Sequence, residues 1–296
     1  MKPFTIVIDT GCDLPQEYIK QHDIKVMPIT LTLDDKDYTG ENWEKISGSD
    51  FYTALKNGST AKTALINPEA FIDSFTQHAK QGEDVLYIIL SSGLSGTYQS
   101  SQIALGQVKE EYPDSNIYPV DSLGATSING LMAMLAVKKR EEGLSAAETA
   151  AWLEEKKHNL FGIVTVDDLM YLHRGGRLSK LSAIGGSILS IKPIISIQPD
   201  GTLALTGKVR GRMAAFKQIV GQMQKSINPD TTLDTVIIPH TDCEEDANKL
   251  AEMIKEAVKV KEVIVMMMGP IIGAHVGPGA VAAVFEADVT REESRK

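Results

Sequence analysis

Apolar runs rich in β-branched residues recur along the chain at residues 4–8, 24–33, 85–90, 116–120, 160–166, 194–197, 235–238 and 262–267. Between them, residues 14–22, 50–56, 68–81, 97–112, 126–142, 146–157, 213–227 and 244–258 have apolar side chains spaced as helices require. Parallel strands need a crossover of a dozen or more residues, and helices of this length supply it, so the alternation predicts an α/β fold. The two helical patterns at 126–142 and 146–157 follow one another across Gly143, and a fresh strand starts at Leu160. This predicts two α/β domains, residues 1–158 and 159–286, with a largely parallel sheet in the first. The segment PIISIQPDGTLALTGKV carries a turn signal at Pro199-Asp200-Gly201 between apolar stretches, which mixes antiparallel strands into the second sheet. Residues 287–296 are polar and without periodicity, and are expected to be a solvated tail.

The 296 residues, 43% of them hydrophobic and 23% charged, suffice for a large core and exclude disordered and coiled-coil classes. A net charge of −9 argues against a general nucleic-acid surface, which rests on cations neutralising phosphates. Cys12 and Cys243 are too few for a disulfide framework. The opening MKPFTIVIDT lacks the apolar core of a secretory signal, and no run reaches the roughly 18 apolar residues of a membrane span. The expectation is a cytoplasmic protein with no stable membrane insertion.

Nucleotide signatures fail on spacing. GTLALTGK (201–208) has one residue too many between its glycines for a P-loop and ends in Val209, where a hydroxyl should reach Mg²⁺. GPIIGAHVGPG (269–279) does not match the dinucleotide fingerprint. His240-Thr241-Asp242-Cys243 has no second cluster at zinc spacing and reads as a strand-end turn; no metal or cofactor is expected.

LYIILSSGLSGTYQSS (86–101) passes from a strand through a sharp turn into a helix and sets Ser95 beside a helix N-terminus. Three roles are open to Ser95. As a nucleophile it would have His275 as base, although the nucleophile-elbow pattern requires Gly where Thr97 stands. As a cap it would bond a nearby backbone N–H. With the helix terminus it would hold a ligand's carboxylate. The glycines around His275 suit a loop that presents an imidazole to a cleft. YLHRGGRLSK (171–180) reads either as a solvated turn or as a patch that docks an anion or a partner.

Several of these segments, in order, resemble the DegV family: VIDTGCDLP (7–15), SSGLSGTYQS (91–100), VDS (120–122), YLHRGGRLS (171–179), KPI (192–194) and GAHVGPG (273–279). The resemblance runs from Phe4 to about Phe285. It implies two α/β domains with one long-chain fatty acid between them, its acyl chain buried and its carboxylate held by Thr63, Ser95 and His275. It also implies a protein without its own ATP site, similar to the binding subunit of a bacterial fatty acid kinase, whose separate catalytic subunit makes the acyl phosphate for phospholipid synthesis. Arg174 and Arg177 are the residues expected to dock that partner. The runner-up is a serine hydrolase of acyl esters using Ser95 and His275. The chain departs from the family at Ala64, Leu65 and Ile66, where Ser-Gln-Pro more often follows the threonine, and at Val276, where Thr is usual.

Overall fold

A computed structural model describes residues 4–38, 46–178 and 191–295; Ser179 and Lys180 of the basic motif lie outside the described residues. A four-stranded sheet runs in the order β2 (Lys25–Met27), β1 (Thr5–Asp9), β6 (Val85–Ile89), β7 (Ile117–Asp121), every neighbour parallel. Alternate side chains serve opposite faces. Ile6, Ile8, Leu86 and Ile88 pack with α5 (Ser127–Glu141) and α6 (Ala146–Lys156). Val7, Val85, Tyr87 and Ile89 pack with α3 (Pro68–Gln81) and α4 (Thr97–Glu111). With both faces covered, these strands are continuously apolar rather than alternating.

The run at 24–33 is not one strand. Pro28, which has no N–H for a ladder, separates β2 from β3 (Thr30–Leu33). Asp34 and Asp35 turn the chain at φ of 45° and 65° into β4 (Lys36–Tyr38). β3 also pairs antiparallel with β5 (Ala61–Ala64), Leu31 opposite Thr63, so a small third sheet carries Thr63.

The second large sheet is mixed, in the order β10 (Leu203–Arg210), β9 (Ile191–Ile197), β8 (Leu160–Thr165), β13 (Val281–Glu286), β11 (Thr232–His240), β12 (Lys259–Met267), with β11 and β12 its parallel pair. The predicted hairpin is β9–β10, with Leu203 opposite Ile197. One face is covered by α8 (Arg212–Ser226) and α9 (Glu244–Ala257) through Phe216, Ile219, Leu250 and Ile254. The other face turns Ile197, Ile237 and Val284 toward α5, which joins the two large sheets in one core. β13 escaped the sequence reading because its alanines have low strand propensity; its position inside the sheet, not its residue preference, makes it a strand.

The solvated tail expected at 287–296 is corrected at Arg291, which is 2% exposed. Its Nε donates to the Leu160 carbonyl at 2.7 Å and its Nη1 to the carbonyls of Leu123 at 2.7 Å and Gln198 at 3.3 Å. One planar guanidinium satisfies three carbonyls from separate segments, which holds the C-terminal segment against the body.

Candidate functional site

A cavity of about 400 Å³ lies between the two large sheets, within the range of small-molecule sites. Ile29, Leu90 and Ile128 from the first half and Val164, Ile197 and Val284 from the second contribute to its apolar wall. Its polar lining includes Thr63, Ser95, Arg177 and His275.

His275 lies on a helix, α10 (Pro270–Val276), where sequence reasoning expected a loop. Pro270 occupies its first turn, a position where the missing N–H costs nothing. The Thr63 hydroxyl and His275 Nε2 are 2.8 Å apart, so a strand of the small sheet and α10 meet in this pair. Gly175 follows α7 (Met170–Arg174), and a Cβ there would stand 2.5 Å from His275 Nδ1, so only glycine permits this approach. Burial, together with the Arg177 guanidinium, lowers the His275 pKa to about 4. The imidazole is therefore neutral at pH 7, and the charge opposite an anion falls to Arg177.

Arg177 is half-buried, with Nε donating to the Leu94 carbonyl at 3.1 Å. Sequence reasoning assigned it to partner docking and missed its place on the cavity wall. The carboxylate that the family resemblance implies would need a cation once buried, and that requirement was the available signal. Arg174 is exposed, its guanidinium 4.8 Å from the centre of the Tyr171 ring.

Ser95 Oγ accepts from the Thr97 N–H at 3.2 Å and lies 2.9 Å from the Thr97 hydroxyl, so it bonds the first residue of α4 from the position before the N-cap, Gly96. With His275 paired to Thr63 and Ser95 to Thr97, no hydrogen bond joins Ser95 to His275 among the described residues, and the nucleophile–base contact of a hydrolase is not formed. The elbow that carries Ser95 is braced from the second half. Ser91 Oγ donates to the Gly201 carbonyl at 2.9 Å, and a Cβ on Gly201 (φ 77°) would lie 2.1 Å from that oxygen. Asp121 accepts from the N–H groups of Ser92 and Leu123, both at 3.1 Å.

The family departures fall on different surfaces. Ala64 and Leu65 line the cavity, and Leu65 is 48% exposed, while Ile66 is buried in the core beside α3. Val276 packs with Val166 and Leu172, surroundings that suit a methyl better than a hydroxyl. The turn at His240 is satisfied internally: His240 Nδ1 accepts from Cys243 N–H at 3.3 Å. Thr241 donates to the Gly277 carbonyl at 2.7 Å and accepts from Ala280 N–H at 2.6 Å, which anchors the segment after α10.

The family model described as an uncharacterised protein of the DegV family matches residues 3–288. The chain belongs to the DegV family. A DegV domain-containing protein of Clostridium perfringens is 38% identical over 97% of this chain and 99% of its own. A solved DegV lipid-binding protein of Thermotoga maritima superimposes with a TM-score of 0.84 at 28% identity, covering 97% of this chain and 99% of that one. A solved stearic acid-binding protein of Eubacterium ventriosum does so with a TM-score of 0.84 at 27% identity, over 96% and 98% of the two chains. Among the described residues no helix is long and apolar enough to cross a membrane.

Proposed function

We propose that this DegV protein binds one long-chain fatty acid in the cavity between its sheets, with the carboxylate at Thr63, Ser95, Arg177 and His275. The observation that carries the reading is the union of an apolar cavity with a converging polar group in which a neutral imidazole, a hydroxyl and a half-buried guanidinium stand together. Fatty acid binding by the Eubacterium ventriosum protein, at the same fold, supports it.

Each methylene moved from water contributes about 0.8 kcal/mol, so a chain of roughly 14 supplies on the order of 11 kcal/mol before binding costs. The head group then orients the ligand. With the proton on Nε2, His275 donates to Thr63 Oγ1 and leaves the Thr63 hydroxyl proton free for the carboxylate. Ser95 offers its own proton, and Arg177 supplies the charge-assisted bond that makes a buried carboxylate tolerable.

In this reading residues 1–158 and 159–286 are two domains that share the acyl chain, and the protein acts in the cytoplasm. It is a carrier without an ATP site that presents the carboxylate to a separate kinase subunit for acyl-phosphate formation. Exposed Arg174 is assigned to that partner, while Arg177 serves the cavity as well as any docking role.

Native mass spectrometry of the purified protein is expected to show one fatty acid per chain, or uptake of one palmitate when the lipid is added. Ser95→Ala is expected to retain less lipid and to leave the fold unchanged by circular dichroism. A wild-type protein that neither carries nor takes up a fatty acid overturns the reading.

A further inference from the structure

The motif VIDTGCDLP places two carboxylates, Asp9 and Asp13, wholly inside the protein, and neither forms an ion pair among the described residues. Each accepts from one residue of the cavity wall, Leu90 for Asp9 and Thr126 for Asp13. Asp9 accepts from Gly11 N–H at 2.8 Å and from Leu90 N–H at 2.7 Å, and Leu90 lines the cavity. Asp13 reaches further along the sequence. Its Oδ2 accepts from the Thr126 hydroxyl at 2.5 Å, at the residue that precedes α5. Its Oδ1 accepts from Gly269 N–H at 2.9 Å, at the residue that caps α10. One carboxylate thus ties the start of the helix between the sheets to the start of the helix that carries Ile271, Ile272 and His275 into the cavity.

We propose that Asp13 is a positioning residue for the head-group site: its ionised carboxylate holds α10 against α5, and its protonation loosens that hold and speeds release of the bound fatty acid. The proposal rests on the fatty-acid reading above. The proton goes to Oδ2, because the Thr126 hydroxyl can rotate to accept, whereas Gly269 N–H is a fixed donor. The Gly269 bond then passes from charge-assisted to neutral and weakens without breaking. Burial, partly offset by the Thr126 and Gly269 bonds and reinforced by the nearby Asp9 charge, raises the Asp13 pKa to about 6. Asp9 is raised to about 6 by burial as well, against its bonds to Leu90 and Gly11. The other titratable neighbours are Cys12 beside it in the chain and Tyr52 of α2 (Gly48–Lys56), both pushed up by burial and neither ionising near neutral pH. Tyr52 donates to the Met268 carbonyl at 2.7 Å, so α10 keeps one tie that is insensitive to pH in this range.

The test is the rate at which fatty acid leaves the loaded protein for an excess of albumin, measured from pH 8 to 5 together with thermal stability. Wild type is expected to release about fivefold faster below pH 6 than at pH 8, as a charge-assisted bond becomes a neutral one. Asp13→Asn imitates the protonated acid. It is expected to release at the fast rate already at pH 8, to lose the step, and to be at least as heat-stable there as wild type, because a buried charge that its two hydrogen bonds only partly offset is gone. A residue needed only for folding would lose heat stability and lipid together and keep the pH step. Thr126→Val keeps Asp13 but removes a bond that favours its ionised form, so the step moves to higher pH. The inference is overturned if Asp13→Asn keeps the wild-type profile, or if Thr126→Val leaves the step in place. A wild type without lipid overturns the fatty-acid reading instead.

Discussion

At the scale of single residues, the proposed head-group site separates charge from hydrogen bonding. His275 is held neutral by burial and by Arg177, so it bonds without adding charge, and Arg177 carries the cation. The linkage has a definite sign. An unfolded histidine titrates near 6.5, whereas His275 in the fold titrates at about 4. Between those values the unfolded chain binds more protons, so this group's share of stability is present above pH 6.5 and is lost as the pH falls toward 4. Arg177→Met removes one of the two causes of the depression. NMR titration is expected to find His275 higher than about 4 in that variant, while lipid retention falls at neutral pH because the carboxylate has lost its cation. An unchanged His275 titration would mean that burial alone depresses the imidazole and that Arg177 is not its electrostatic neighbour.

At the scale of elements, the site depends on how closely α7 and α10 approach. Gly175, at φ −71°, has an ordinary backbone conformation, so its value is steric: the 2.5 Å between its missing Cβ and His275 Nδ1 leaves no room for alanine. Gly175→Ala is expected to fold, to push the imidazole away from Thr63, and to weaken fatty acid retention about tenfold, roughly the value of one or two hydrogen bonds. Calorimetric titration with palmitate checks this, and wild-type affinity would show that the loop yields freely. The same elements show what the sequence disclosed. The central strands of the parallel sheet, β1 and β6, were legible because both their faces are covered and their apolar runs are unbroken. The hairpin at Pro199-Asp200-Gly201 was legible because its turn chemistry is local. β5 and β13 were not, since a four-residue strand and an alanine-rich one acquire their structure from neighbours distant in sequence. Ser95 could be singled out from the strand-turn-helix junction around it, and the fold places it on the cavity wall. Arg177 could not be read as a cavity residue, because only the folded chain brings it to Leu94 and His275.

At the scale of the whole molecule, the two large sheets are built from separate stretches of chain, yet one core cluster runs through both of them. α5 is buried along most of its length, and Ile128, Leu131 and Met132 share one cluster with Ile6 and Ile88 of the first sheet and with Ile237 and Val284 of the second. Arg291 strengthens the same union, linking the segment before α5 to β8 and to the β9–β10 hairpin, which in turn holds the Ser95 elbow through Gly201 and Ser91. Burial lowers the Arg291 pKa to about 10, which at about 1.4 kcal/mol per pH unit is a cost on the order of 3 kcal/mol. Arg291→Met removes that cost but takes a donor from the carbonyls of buried Leu160 and half-buried Leu123, at about 1–3 kcal/mol each, while the Gln198 carbonyl keeps the Gly201 N–H. The lost bonds are expected to outweigh the relief by on the order of 1 kcal/mol, a fall in Tm of about 2 °C. Because the core is shared, calorimetry should show one unfolding transition in both proteins, moved as a whole in the variant, and added fatty acid should raise it in each by mass action. Two transitions, with only one of them shifted by Arg291→Met, would show instead that each sheet carries its own stability and that α5 does not join them.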